Sequence, residues 1–271
     1  MRQLLHSLVF RNFIIRIMDK EEIRSFLNFK ADQYNNPKFI EHDPVSIPHH
    51  FSLKEDREIA GFLAATISWG NRKSILKSAN KMMELLGESP FDFVMSHRSS
   101  DLKKLEGFVH RTFNGEDLVF FVKALRHVYK KHGGLETVFQ NQQQDDSLQG
   151  GITYLRKIFF QITHSHRSEK HISDPEKGSA AKRINMFLRW MVRNDGRGVD
   201  LGLWPSVSPS ALSCPLDVHS GNVARKLGLL QRKQNDALAV KELDEQLRMM
   251  DPSDPVKYDF ALFGLGVFEG F

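Results

Sequence analysis

The stretch that decides the reading of this chain runs from Gly178 to Leu229. It opens with GSAAKRINMFLRWMVR (178–193), crosses a linker containing Trp204-Pro205, and closes with CPLDVHSGNVARKLGL (214–229). In the opening half, Ile184, Phe187, Leu188, Met191 and Val192 recur at helical spacing, while Lys182, Asn185, Arg189 and Arg193 share the opposite stripe. The pattern predicts a helix over 178–193 with Lys182 at its mouth, on the polar side. After Pro215, Asp217 is placed to cap a second helix carrying Val218, Val223, Ala224 and Leu227, which Gly228 closes. A lysine at one helix start is thus followed, 35 residues on, by an aspartate at the next. Taken singly, such a lysine is a solvated charge and such an aspartate is a cap.

The second segment resembles the PVDTHVxRVxxRLGL segment of the helix-hairpin-helix (HhH-GPD) DNA glycosylase superfamily, which includes endonuclease III and the adenine and 8-oxoguanine glycosylases. The resemblance implies that Asp217 is catalytic, with Pro215 before it and His219 and Arg225 after it. GSAAKRIN can be laid on the hairpin segment GVGRKTAN, which implies Gly178 as the first hairpin glycine and Lys182 as the nucleophilic lysine. Upstream, IAGFLAATISWGNRKSILKSANKMMELLG is similar to the helix-loop-helix that opens the glycosylase barrel, and FVHRTFNGEDLVFFVKALRHVYKKHGG to the segment after it. These segments follow the family's order and are spread over residues 55–271. More narrowly, the chain resembles a bacterial family within or near that superfamily known only as a domain of unknown function.

The departures are specific. DPEKGSAAK (174–182) keeps one hairpin glycine of two and has no threonine after the lysine. The Lys-to-Asp interval is longer than in endonuclease III, nearer to the archaeal 8-oxoguanine branch. A single cysteine, Cys214, excludes the four-cysteine iron-sulfur loop of some relatives and any disulfide framework.

The expected architecture is therefore all-α, a two-lobed helical glycosylase-like fold with a cleft between lobes. One lobe takes in about residues 53–195, and the other about 18–52 plus 196–271. No stretch alternates with period two. Helices are expected from Met18 to Tyr34, from a Ser52–Glu55 capping box to Ser68, and over 71–86, 90–96, 116–131, 148–164, 235–250 and from Pro255 onward. Asn35 to His50, Asn141 to Ser147 and Ser165 to Lys177 read as loops, and His110 to Gly115 as a polar turn that holds a helix end or faces the cleft. Residues 1–17 carry three arginines and no acid; a transit peptide and an amphipathic membrane helix are alternatives, but the plainer reading is an over-called extension ahead of a true start at Met18.

A length of 271 residues, 41% hydrophobic and 26% charged, is that of an ordinary soluble domain, and a net charge of +5 favours a polyanionic partner. One cysteine suits a reducing cytoplasm. The resemblance implies damaged double-stranded DNA as that partner; no cofactor, metal, membrane or protein partner is expected, and the state expected is monomeric. It places Trp69, Asn71 and Arg72 at a turn that enters the minor groove, Trp204 and His219 beside an extruded base, and Gly178, Ser179, Arg183, Arg189 and Arg225 among the DNA contacts.

Cleaving a base-sugar bond gathers positive charge on the sugar, which Asp217 would oppose; a neutral Lys182 would then attack the anomeric carbon. The two groups are expected to face each other across a gap wide enough for one nucleoside. The reading is a DNA glycosylase with AP-lyase activity. A non-catalytic DNA-binding helical scaffold is one alternative, and a metal-dependent hydrolase built on Asp217, His219 and the His42–His50 cluster is another.

Overall fold

Local chemistry fixes most helix ends. Asp19 accepts from the Glu21 and Glu22 amides at 2.9 Å while Glu22 reaches back to the Asp19 amide at 2.8 Å, a reciprocal cap that starts α1 (Lys20–Tyr34). The structure, a computed structural model, describes residues 18–142 and 147–271. The extension read over 1–17 and part of the Asn141–Ser147 loop lie outside them. A 3-10 turn (Pro37–His42) leads to α2 (Ser46–His49), α3 (Lys54–Thr66), α4 (Arg72–Leu86), α5 (Pro90–Ser96) and α6 (Ser99–Leu102). Then come β1 (Val109–His110), β2 (Phe113–Asn114), α7 (Gly115–His132), α8 (Leu135–Gln140), α9 (Gln149–Phe159), α10 (Lys182–Val192), α11 (Val218–Lys226), α12 (Ala237–Met250) and α13 (Tyr258–Phe268).

The all-α expectation holds: among the described residues the named strands are this one two-residue hairpin, and no helix is long and apolar enough to cross a membrane. The turn at 110–115 holds a helix end, since Asn114 caps α7 by accepting the Asp117 amide at 3.2 Å. Gly115 is required there, because a Cβ would stand 2.1 Å from the Glu106 carbonyl oxygen.

Buried apolar side chains gather into two clusters. The larger spans Val45 to Leu212 plus Val256, with Phe62 of α3 meeting Phe187 of α10 edge-on at 5.5 Å. The smaller combines Ile23, Leu27 and Ala31 of α1 with residues from Cys214 to Leu265 on and beside α11, α12 and α13, plus Ala180.

Three loop and cap expectations are corrected. The Ser52–Glu55 capping box does not form: the helix starts one residue late for it, with Leu53 at the cap position and no side-chain cap bond. The stretch 165–177 is not a surface loop, because the fully buried Asp117 of α7 draws it in, accepting from Ser168 Oγ at 2.6 Å and Arg167 Nη1 at 2.6 Å. Within 35–50, short helical turns form over Pro37–His42 and Ser46–His49, and Val45 and Ile47 are fully buried.

The polar stripe of α10 is corrected as well. Asn185, Arg189 and Arg193 are 1%, 4% and 3% exposed, and they face a second layer, not water. Arg189 Nε meets Asp200 at 3.1 Å and its Nη1 meets Asp259, while Arg193 binds Asp200 at 3.1 Å, Asp195 at 3.0 Å and Asp254 at 2.8 Å. Burial alone would strip these ions of water at a cost of several kcal/mol each, so opposite charges must sit at hydrogen-bond distance. The result is an ionic seam joining α10, in the larger cluster, to the α13 region of the smaller.

Candidate active site

Two irregular backbones bring Lys182 and Asp217 together. Before α10, Gly178 and Ala181 both take left-handed conformations, with φ of 88° and 45°. Glycine does so freely, whereas alanine is strained there. The Ala237 amide donates to the Gly178 carbonyl at 3.0 Å, and the Ala181 amide donates to Ser179 Oγ at 3.2 Å. These bonds fix the entry into α10 and set Lys182 as its first residue.

At α11, Asp217 divides its two oxygens. Oδ1 accepts the Ser220 amide at 2.9 Å and the Ser220 hydroxyl at 3.2 Å, the N-cap read from sequence. Oδ2 is left for Lys182, whose Nζ stands 2.9 Å away. The two are in direct contact, so the expected nucleoside-wide gap between them is corrected: a cap that engages one oxygen leaves the other to draw in the ammonium. Burial pushes the Asp217 carboxyl upward, but the adjacent Lys182 ammonium and the Ser220 amide outweigh it and hold the group below its ordinary range.

The space lies beside the pair. A cavity of about 710 Å³ is lined by Lys182 and Asp217 together with Trp69, Gly70, Arg72, Ser179, Arg183 and His219, a size that suits a small organic group. Arg183 stands 4.7 Å above the Trp69 ring and donates to the carbonyls of Thr66 and His171. These two bonds hold it against the cavity wall, and burial lowers its pKa to about 10. Trp69 also stacks on His171, with centroids 5.8 Å apart.

Other expected residues lie elsewhere. Asn71 is exposed and caps α4, accepting the Ser74 amide at 3.3 Å, and Gly178 is exposed but outside the lining. Arg189 belongs to the buried seam and cannot meet DNA. Arg225 donates to the Arg232 carbonyl at 2.8 Å and Asn235 Oδ1 at 2.6 Å, pinning the loop whose Asn235 donates to the Asp217 carbonyl at 2.8 Å. Trp204 is fully buried, stacked on Phe139 at 5.6 Å, and its indole N–H donates to Glu58 at 2.7 Å. It is a core residue and not part of the cavity. Trp204→Phe should lower stability by about 1–3 kcal/mol in urea unfolding, because it removes a donor from a buried carboxylate; an unchanged midpoint would refute that bond's importance.

Sequence reading missed Asp43, Ser68, Asn235, Phe263 and Val267, all in the lining. Asp43 was visible only as one member of a histidine-rich cluster. That cluster does not assemble: among the described residues no three His, Cys, Asp or Glu side chains come together as ligands, and His49 Nε2 pairs with the Val199 carbonyl at 2.9 Å. The metal-hydrolase alternative is left without a ligand set there.

Fold and site thus define an all-α protein with an ammonium–carboxylate pair set in the wall of a cavity. Over residues 43–268 the chain matches the family described as protein of unknown function (DUF2400), and it belongs to that family. Comparison with curated proteins and with solved structures gives no match.

Proposed function

We propose that the protein is a DNA glycosylase with AP-lyase activity, using Lys182 as nucleophile and Asp217 as the group that opposes charge on the sugar. The observation that carries this reading is the 2.9 Å contact between these two side chains, one at a helix start and one at an N-cap, in the wall of a cavity. They are also the two positions at which the sequence resembles the glycosylase motifs. We read the two apolar clusters as two lobes and the cavity as the cleft between them, since Trp69 and Met186 pack on one cluster and Leu216 belongs to the other.

Asp217 accounts for two needs of the reaction. Ionised, it stabilises the sugar as the base departs; as the closest base, it takes the proton that Lys182 must lose before its lone pair can bond to carbon. DNA is the partner that fits the surroundings. A second cavity of about 420 Å³ is lined by Lys77, Lys81 and Lys104, of which Lys81 also pairs with the exposed Glu84 at 3.0 Å. His110 links the two cavities, contacting Ser78 Oγ at 2.9 Å and the Trp69 carbonyl at 3.3 Å. Ammonium groups so placed suit backbone phosphates.

The test is borohydride trapping. The protein is incubated with duplex oligonucleotides carrying an abasic site or a single oxidised, alkylated or deaminated base. A covalent adduct is expected; tight binding with no adduct on any of them would favour the non-catalytic DNA-binding scaffold.

A further inference from the structure

Asp217 is not the only acid in the lining of the large cavity. Asp43 is there too, 7% exposed and far upstream of the Lys182–Asp217 stretch in sequence. Its Oδ1 accepts the Val45 amide at 3.1 Å. Its second oxygen has no hydrogen-bond partner among the described residues, although Arg72 and Lys182 line the same cavity. The two acids are thus differently equipped. Asp217 has both oxygens engaged and a cation in contact, whereas Asp43 has one oxygen uncommitted.

We propose that Asp43 is the acid that serves the leaving base, giving its carboxyl proton to the base of a nucleotide held in the cavity as the base-sugar bond breaks. The proposal rests on the glycosylase reading and assigns the half of the reaction that Lys182 and Asp217 leave unserved. Burial pushes the Asp43 carboxyl above its ordinary range against the pull of the Val45 amide and of Arg189, Arg72 and Lys182, which favours the proton-bearing form. Two carboxyls driven in opposite directions within one cavity are the mark of an acid and a charge stabiliser.

The step balances. The electron pair of the C1′–N bond goes to the base, which takes the Asp43 proton and leaves neutral, and Asp43 becomes a carboxylate. Asp217 stays ionised while the sugar is positive. The Lys182 proton then passes to Asp217 as the lysine lone pair forms the new bond to C1′.

The variant that tests this is Asp43→Asn, which keeps an oxygen to accept the Val45 amide but has no acidic proton. Full-length protein is compared under single-turnover trapping on two duplexes, one with an abasic site and one with a damaged base that the wild type releases. On the abasic site no base has to leave, so the variant should form adduct at the wild-type rate. On the base-bearing duplex it should be slower by about a hundredfold or more, the scale of general acid catalysis. Release of the base at the wild-type rate would overturn the proposal. So would an equal loss on both duplexes, which would give Asp43 a structural role. A wild type that traps at abasic sites but releases none of the bases also overturns it, leaving the lysine's role intact. No wild-type adduct at an abasic site sinks the underlying reading itself.

Discussion

Lys182→Gln is expected to abolish the borohydride-trapped adduct on abasic-site DNA, a fall of about a thousandfold or more, as when a covalent nucleophile is removed. The fold should survive the change. The Lys182 side chain is 35% exposed, and Asp217 keeps its bonds to Ser220, so the lost ion pair costs far less than a fully buried one. Glutamine retains an N–H donor and much of the length, so DNA binding should stay close to wild type. Adduct formation by the variant at the wild-type rate would mean that another amine does the chemistry. Loss of binding in parallel with loss of adduct would mean that Lys182 only holds the ligand.

The largest effect on stability is expected from Arg189→Met. Removing this guanidinium leaves Asp200 and Asp259 buried with fewer counter-charges, which should cost about 3–5 kcal/mol and lower the melting temperature by roughly 10 °C for a chain of this size. The loss should depend on pH in a definite direction. Burial raises the Asp259 carboxyl to about 6 even with Arg189 pulling it down. Without Arg189 it rises further. A carboxyl whose folded-state pKa lies above its unfolded value carries no penalty when protonated in both states, and a growing one as pH climbs toward the folded value. In the wild type that penalty stops growing once pH has passed about 6, whereas in the variant it continues. The gap between the two proteins in urea unfolding should therefore be wider at pH 8 than at pH 5. Equal gaps at both values would remove Asp259 from the account.

What the sequence makes legible is local. Asp217 sits between a proline and a helical pattern, and a short oxygen-bearing side chain there has few choices besides capping. Lys182 comes four residues after Gly178 and opens an amphipathic run, which places it at a helix mouth. Each inference needs fewer than a dozen neighbouring residues. The burial of Arg189 and Arg193 is not legible in the same way, because two of their partners, Asp254 and Asp259, lie some sixty to seventy residues downstream. A stripe of charge on a helix looks the same whether it meets water or a second charged layer.

Trp204 misled for the same reason. It follows a glycine-containing segment and precedes a proline, as linkers do, yet it is anchored by Glu58, an acid that α3's own pattern would leave in solvent. Asp117 shows the effect in reverse. Its ties to Ser168 and Arg167 fold the stretch 165–177, which is rich in loop residues, into short turns. Asp43 stands among histidines, and residue types that suit a metal hid a carboxyl that lines the cavity.

The paired charges between α10 and α13 also have a mechanical meaning. Guanidinium forks such as that of Arg193 on Asp254 fix angle as well as distance, so sliding α13 past α10 by about an ångström would also separate the buried Arg189 and Asp259. Such a frame resists closing like a jaw. On the proposed reading, the distortion falls on the nucleic acid: a nucleotide must swing out of its stack and fit a mould that is already set, and weakly stacked sites would be the ones it finds first.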